Sequence, residues 1–290
     1  MRLSVFYDHI LQAHGQSGKS IPEILQYCRS LGIDAVEMEY TLFSENRTTI
    51  YPMLSRAGLS ISCFYEFFNF HNDPDLSGAE KMLETASELE ISRVLFVPGA
   101  LGEQEAAELS ACSSTYEAAA GFMDNSPSIR NMQQALVRLT AYAAPLGVTV
   151  TLEDFDGFTQ PFSKMNQLLW FMKNVPGLRC TLDMGNFAFS DEDVVRAADL
   201  LKGYIVHVHC KDRGLNPAVQ GAFCKGLGQS PAGCGYIPIR ALVSTLRERG
   251  YDGYLAIEHF DVPDQLSFIR KSADFLRKCA GITAINGCGY

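Results

Sequence analysis

Four side chains of the kinds that bind divalent cations close successive apolar runs in the second half of the chain. Glu153, Asp183, His209 and Glu258 lie 30, 26 and 49 residues apart (183 − 153, 209 − 183 and 258 − 209). The first two intervals are close to the ~30 residues of one strand–helix unit. The third interval is one such unit with a longer loop. Each residue closes an apolar run, so we expect the four side chains at the ends of consecutive strands.

The alternation of side chains along a strand indicates which residues share a face. Thr151 lies on the face of Glu153, and Thr181 lies on the face of Asp183, because successive side chains point to opposite sides. Converging carboxylates repel one another unless a cation lies between them. Three oxygen ligands and one imidazole suit Mn²⁺, Mg²⁺, Co²⁺, Fe²⁺ or Zn²⁺ without selecting among them. A polar strand end is the simpler interpretation of any single residue, but four in register favour a metal site.

Strand-like runs that could position these residues alternate with helical patterns from end to end. The predicted strands are Leu3–Tyr7, Ala35–Tyr40, Ser60–Glu66, Arg93–Val97, Val148–Glu153, Leu178–Asp183, Tyr204–His209 and Tyr254–Glu258. Alternating strands and helices predict a parallel sheet, and eight units over about 250 residues are typical of a (β/α)₈ TIM barrel. An open doubly wound sheet is the alternative, but no strand leads into the G-x-G-x-x-G pattern. We expect one domain over residues 1–290.

Helical periodicity and its stop signals predict the intervening helices. These helices are Ile21–Leu31, Thr48–Ala57, Leu76–Leu89, Ile129–Leu146, Ser163–Asn174, Asp191–Leu201, Ile239–Arg249 and Asp264–Lys278. Ala100–Pro127 and Arg213–Pro238 are predicted as long loops on the face where barrel enzymes build their sites. The run Ala13–Ser20 nearly matches a phosphate-binding loop. Ser20 and Glu23, however, have the spacing of a capping box, which places Lys19 outside the helix.

Composition and charge limit the classes of function. The 290 residues are 47% hydrophobic and 20% charged, with a formal net charge of −9. Such an acidic chain does not fit a protein that depends on phosphate neutralisation, so nucleic acid and anionic membranes are not expected partners. No apolar run has the length of a membrane span, and the start of the chain does not resemble a signal peptide. Nine cysteines without a C-x-x-C motif favour a reducing, cytoplasmic setting.

The motifs around the four residues resemble those of a known family. The segments that carry the resemblance are Thr151–Glu153, Leu182–Phe187, His207–Asp212 and Gly250–Glu258. They are similar to the sugar isomerase/epimerase family of xylose-isomerase-like barrels, which also contains enzymes of the AP-endonuclease type. The resemblance implies that Glu153, Asp183, His209 and Glu258 hold one divalent ion, with Mn²⁺ the first choice. It also implies that Glu153 and Glu258 move the proton.

One position departs from the family pattern, and other residues are weaker candidates. Many relatives have histidine three residues after the strand-six aspartate, where this chain has Asn186. Asparagine can bind a substrate oxygen but cannot transfer a proton. Lys211, His207 and Glu66 are further candidates for substrate contacts, although a surface lysine, a core histidine and a core cluster are the simpler interpretations. His259 is expected to point outward, into the helix layer.

The predicted activity is proton abstraction next to the carbonyl of a ketose or keto-polyol, through an enediolate. Return of the proton would give a sugar isomerase or epimerase, whereas loss of water would give a keto-sugar or keto-inositol dehydratase. A nuclease of the AP-endonuclease type is a further alternative, but it needs several more histidines than the six present. A non-catalytic sugar-binding barrel stays open because of Asn186. By analogy with relatives, the partner is a small sugar and the assembly a dimer or tetramer.

Overall fold

Strands and helices alternate along the chain in the computed structural model, which describes residues 1–217 and 223–282. The strands are β1 (Arg2–Phe6), β2 (Ala35–Glu39), β3 (Ser60–Phe67), β4 (Arg93–Val97), β5 (Thr149–Glu153), β6 (Arg179–Asp183), β7 (Ile205–Pro217), β8 (Phe223–Ser230) and β9 (Tyr254–Glu258). The helices are α1 (Tyr7–Ser17), α2 (Ile21–Ser30), α3 (Tyr40–Ala57), α4 (Ser77–Glu88), α5 (Glu103–Cys112), α6 (Tyr116–Met123), α7 (Pro127–Ala143), α8 (Met165–Asn174), α9 (Val194–Leu200), α10 (Ile239–Glu248) and α11 (Gln265–Ala280).

The chain divides into two compact units, of which the first joins the two ends of the sequence. It comprises Met1–Ser62 and the described part of Val208–Tyr290. Its parallel strands follow the order β2-β1-β9-β7, and β8 adds antiparallel to β7. The register places Lys211 of β7 opposite Glu258 of β9. Two candidate residues that are 47 positions apart in sequence (258 − 211) are therefore neighbours across one strand pair.

The second unit is the continuous segment Cys63–His207. It holds most of β3 together with β4, β5 and β6, and these parallel strands follow that order. In its register, Glu153 of β5 lies opposite Thr181 of β6. Both strands end at a candidate ligand, Glu153 and Asp183, so the two carboxylates project from adjacent strand ends.

The predicted capping box explains where α2 begins. Ser20 Oγ accepts a hydrogen bond from the backbone N–H of Glu23, while the Glu23 carboxylate accepts one from the backbone N–H of Ser20 at 2.8 Å. Lys19 precedes the helix, as the capping box predicts, whereas a phosphate-binding loop needs its lysine inside it. Gly18, with φ of 69°, ends α1 in the left-handed conformation.

All eight predicted strands are confirmed, but four predictions about the connections are wrong. The predicted helix Thr48–Ala57 is part of the longer α3, which begins at Tyr40, the residue predicted to end the second strand. Tyr7 does not end the first strand and instead begins α1, which the sequence did not predict. The predicted loop Ala100–Pro127 contains α5 and α6. The predicted loop Arg213–Pro238 contains the end of β7 and all of β8, which pair with each other. Residues 218–222 of this segment lie outside the described part of the chain.

Among the missed elements, α6 has a local signal, because the Thr115 side chain accepts the backbone N–H of Ala118, whereas α1, α5 and β8 lack the usual signals. Phe6 and Gly102, at the N-terminal ends of α1 and α5, form no side-chain capping hydrogen bond. The strand β8 contains Gly226 and Gly228, which weaken a strand pattern. None of the described helices has the length and apolar character that crossing a bilayer requires.

Candidate functional site

The carboxyl ends of β5 and β6 bring two carboxylates together in the second unit. The Thr181 hydroxyl donates a hydrogen bond to the Thr151 hydroxyl at 2.8 Å, so the two threonines share one face of the strands. Glu153 and Asp183 follow on that same face by strand alternation. Each is buried, and carboxylate oxygens of the two lie within 4.8 Å of each other. The predicted sharing of a face by these residues is confirmed.

The loop after β6 is held by its own acidic residue and by its neighbour. Asp183 Oδ1 accepts hydrogen bonds from the backbone N–H groups of Gly185 at 2.6 Å and Asn186 at 2.9 Å. The Asn186 side-chain amide donates to the carbonyl oxygen of Asp154 at 2.8 Å. Asn186 therefore connects the loop after β6 to the end of β5.

A third carboxylate makes this region strongly acidic. Asp154 Oδ1 accepts the backbone N–H of Asp183 at 3.0 Å, whereas no donor among the described residues reaches its buried Oδ2. Burial raises the pKa of Asp154 well above its usual range, and the neighbouring charges of Asp183 and Glu153 raise it further. We call Glu153, Asp154 and Asp183 the acidic cluster. Such a group stores unfavourable charge repulsion that a cation would relieve.

The remaining predicted ligands belong to the first unit. His209 Nδ1 lies 3.1 Å from Glu258 Oε2, and Lys211 Nζ lies 2.6 Å from Glu258 Oε1. On the other side of the ring, His209 Nε2 lies 3.0 Å from Glu37 Oε1. All four side chains are buried. We call Glu37, His209, Lys211 and Glu258 the histidine cluster.

The histidine cluster sets the charge state of Glu258. Burial alone raises the pKa of this carboxyl, but Lys211 and His209 together hold it well below its usual range. Glu258 is therefore ionised at neutral pH. An ionised carboxylate can bind a cation or accept a proton, and the ion pair with Lys211 fixes its position.

His207, Glu66 and His259 have neighbours other than those of the acidic and histidine clusters. His207 is fully buried, with a ring nitrogen within 4.8 Å of the Cys63 sulfur. Glu66 ends near its own backbone, where its carboxylate accepts the N–H of Phe67 at 2.9 Å. His259 stacks on His9 at 4.8 Å between ring centroids.

His259 also meets Phe268 of α11 at 5.3 Å between ring centroids. The expectation that it points into the helix layer is confirmed. Sequence reasoning missed Glu37 and Asp154. The available signals were a charged residue inside the strand run Ala35–Glu39 and a second carboxylate directly after Glu153.

Most of the chain matches one protein family of known fold. Residues 25–279 match the family described as xylose isomerase-like TIM barrel, and they include all four predicted ligands. The chain belongs to this family. The predicted α/β fold, a closed (β/α)₈ barrel with surrounding helices, is thereby confirmed. The resemblance that the strand-end motifs carry is confirmed as well.

Solved structures of the same fold include enzymes of two kinds. The probable 3-DHS dehydratase of Bacillus anthracis superposes with a TM-score of 0.70 at 16% identity, covering 95% of this chain and 98% of that one. The 3-keto-D-glucoside 4-epimerase of E. coli gives 0.66 at 20% identity, with 89% and 94% covered. A xylose isomerase-like protein of Mycobacterium smegmatis in complex with magnesium gives 0.64 at 16% identity, with 96% of both chains covered. A search of curated proteins gives no match.

Proposed function

We propose that the chain is a divalent-metal-dependent sugar isomerase or epimerase that acts on a ketose or keto-polyol. The observation that carries the proposal is the placement of Glu153, Asp183, His209 and Glu258. They lie on β5, β6, β7 and β9, which correspond to the last four strands of the barrel that defines the family. Side chains at the carboxyl ends of barrel strands form the active sites of enzymes with this fold.

The donor set fits one divalent ion held by these four residues. Buried carboxylate oxygens lie close together in the acidic cluster, where Asp154 Oδ2 has no donor among the described residues. His209 and Glu258 offer a nitrogen and an oxygen 3.1 Å apart in the histidine cluster. Three carboxylates and one imidazole suit Mn²⁺ first in our proposal, while Mg²⁺, Co²⁺, Fe²⁺ and Zn²⁺ are compatible. The relative from Mycobacterium smegmatis was crystallised with magnesium.

The proposed chemistry starts from the charge state of Glu258. When bound, a divalent ion supplies Lewis acidity that makes the C–H next to a sugar carbonyl easier to deprotonate. Glu258, ionised beside Lys211, is suited to accept that proton. Glu153, in its protonated form, would give a proton to the enediolate, while Glu258 keeps the proton it took, and both groups would return to their starting state by exchange with solvent. Delivery to the opposite face of the same carbon gives an epimer, and delivery to the adjacent carbon gives an isomer.

Four further residues were predicted to contact the substrate, and the donor groups of two of them already have partners in the protein. The four are Asn186, Lys211, Glu66 and His207. The Asn186 amide already donates to Asp154, and Lys211 already pairs with Glu258. We keep them as positions that shape the sugar site. Several expectations from the sequence stay predictions. They are a small-molecule sugar as partner, no role for nucleic acid or membrane, a cytoplasmic setting, a single domain, and assembly as a dimer or tetramer.

A dehydratase is the second candidate, and one comparison favours it. The probable dehydratase of Bacillus anthracis has a TM-score of 0.70 with this chain. Elimination of water begins with the same proton abstraction, so the same residues would serve both reactions. A nuclease and a non-catalytic sugar-binding barrel are the remaining alternatives, and the net charge of −9 disfavours the nuclease.

The proposal is tested by solvent exchange into candidate sugars. The protein loaded with Mn²⁺ is incubated in D₂O with a panel of ketoses and keto-polyols, and deuterium uptake is followed by mass spectrometry. We expect uptake next to the carbonyl in at least one sugar. Glu258→Gln should reduce the rate by about 10²–10⁴-fold, which is the usual contribution of a general base.

One control variant and two possible outcomes complete the test. Glu248→Gln removes an exposed carboxylate on α10 and should leave the exchange rate unchanged. Full exchange by a metal-loaded Glu258→Gln protein would contradict the proposed base. A product lighter than its substrate by one water would identify the dehydratase instead.

A further inference from the structure

We propose that Glu37 is a positioning residue that fixes the ring of His209 with Nδ1 directed at the metal ion. This inference rests on the proposed function, because it assumes that His209 is a ligand. Glu37 lies on β2, 172 residues before His209, and no local sequence pattern connects the two. It is fully buried, and its Oε1 lies 3.0 Å from His209 Nε2.

The surroundings restrict the ring on three sides. Glu37 contacts Nε2, Glu258 Oε2 lies 3.1 Å from Nδ1, and the Phe6 ring packs edge-on at 5.1 Å between centroids. A rotation of the ring by 180° would separate Nε2 from Glu37. The ring is therefore held in one orientation, in which Nδ1 lies on the side of Glu258.

The contact with Glu37 also decides which nitrogen can bind an ion. A carboxylate only accepts hydrogen bonds, so Nε2 must carry the proton that it donates to Glu37. A metal ion at Nδ1 would replace the proton that Nδ1 otherwise shares with Glu258 Oε2, so the ring would bind the ion as the neutral tautomer that carries its proton on Nε2. A carboxylate on the far nitrogen of a metal-bound histidine fixes the tautomer and makes the ligand more basic. This role accounts for a buried charge on β2 that the proton-transfer chemistry does not use.

Two substitutions separate the charge of Glu37 from its shape. Glu37→Gln keeps a carbonyl oxygen that can accept from Nε2, whereas Glu37→Leu removes the acceptor at similar volume. Loss of such an outer contact weakens metal binding about 10–100-fold. We expect the Mn²⁺ dissociation constant, measured by titration calorimetry, to rise towards 100-fold in Glu37→Leu and less in Glu37→Gln. Glu45→Gln, an exposed carboxylate on α3, is the matched control and should leave it unchanged.

A second readout follows the ring itself. ¹⁵N NMR of the Zn²⁺-loaded protein should show one histidine with its proton on Nε2 and its Nδ1 bound. That signal pattern should persist in Glu37→Gln and be lost or mixed in Glu37→Leu, while circular dichroism checks that both variants are folded.

The outcomes separate this inference from the proposed function. If the unmodified protein binds no divalent ion, the proposed function fails, and the positioning role fails with it. If the unmodified protein binds the ion and both Glu37 variants bind it equally well with an unchanged tautomer, only the role of Glu37 is overturned.

Discussion

His209 is placed between two buried carboxylates, Glu37 at Nε2 and Glu258 at Nδ1. Buried charges are costly unless they are paired and hydrogen-bonded, and Lys211 supplies a further positive charge to Glu258 at 2.6 Å. Asn186 has a comparable positional role in the other unit, where its amide joins the loop after β6 to Asp154.

His259 gives the clearest prediction of pH dependence. Burial lowers the pKa of His259 from 6.5 to about 4 in the folded protein. Between these two pH values the unfolded chain binds the proton and the folded protein does not, so stability falls as the pH falls from 6.5 to 4. The loss expected from this residue alone is about 3 kcal/mol.

The substitution His259→Phe tests this expectation. Phenylalanine keeps the ring packing against His9 and Phe268, so the free energy of unfolding at pH 7 should change by less than about 1.5 kcal/mol. The difference in stability between pH 7 and pH 4, measured by urea unfolding, should be about 3 kcal/mol smaller than in the unmodified protein. An unchanged difference would show that His259 is protonated in the folded state. His14→Gln, at an exposed position, serves as control.

Among the elements, the segment after β8 is held against β7 by the carboxylate of Asp212, in addition to the backbone hydrogen bond from Tyr236 to Arg213. Asp212 Oδ1 accepts the N–H groups of Arg213 at 2.9 Å and Ile237 at 3.1 Å. Its Oδ2 accepts those of Gly233 at 2.8 Å and Gly235 at 2.9 Å. A Cβ at Gly235 would collide with the carbonyl oxygen of Arg213, so only glycine allows this close approach.

Asp212→Asn should destabilise the protein, although the asparagine side chain has nearly the same volume as the aspartate it replaces. The amide oxygen can still accept two hydrogen bonds, but the amide nitrogen would face two backbone donors. Loss of two bonds to a charged group costs about 3 kcal/mol or more. Urea unfolding checks the value, and Asp252→Asn, at an exposed position, should have little effect. A variant as stable as the parent would mean that the four contacts contribute nothing net.

The sequence predicted elements best where local and long-range signals agree. The bounds of β4 and β9 were predicted to the residue, because each is an apolar run bounded by turn residues. The helix α1 was missed because it follows β1 without an intervening turn or cap. The strand β8 depends on pairing with β7, and its glycines hide the pattern.

The residues of the candidate site were likewise predictable only where the sequence itself carries a local signal. Glu153, Asp183 and Glu258 are the last residues of β5, β6 and β9, and each closes an apolar run that the sequence displays directly. His209 was predicted to end its strand as well, but β7 continues past it to Pro217 because it pairs with β8. Glu37 could not be recognised, because its partner is 172 residues away and one charged residue in a strand has no distinctive spacing. Asp154 was missed because its importance depends on burial beside Asp183, which the sequence does not report.

For the whole molecule, family membership fixes the barrel but leaves the reaction open. The relatives described above share 16–20% identity with this chain, and they include an epimerase and a probable dehydratase. The same fold therefore occurs in an epimerase and in a probable dehydratase, and the fold alone does not select between these two reactions. What separates the candidates is the chemistry of the acidic and histidine clusters, and above all whether they hold one ion.

The most direct test is the metal content of the purified protein, measured by elemental mass spectrometry without chelator or added metal. We expect about one divalent ion per chain, and less than one in Asp183→Asn, which removes a proposed ligand charge. Glu45→Gln should keep the parent value. A protein that contains no divalent ion and takes none up on addition would contradict the proposed site, and about three ions per chain would favour the nuclease.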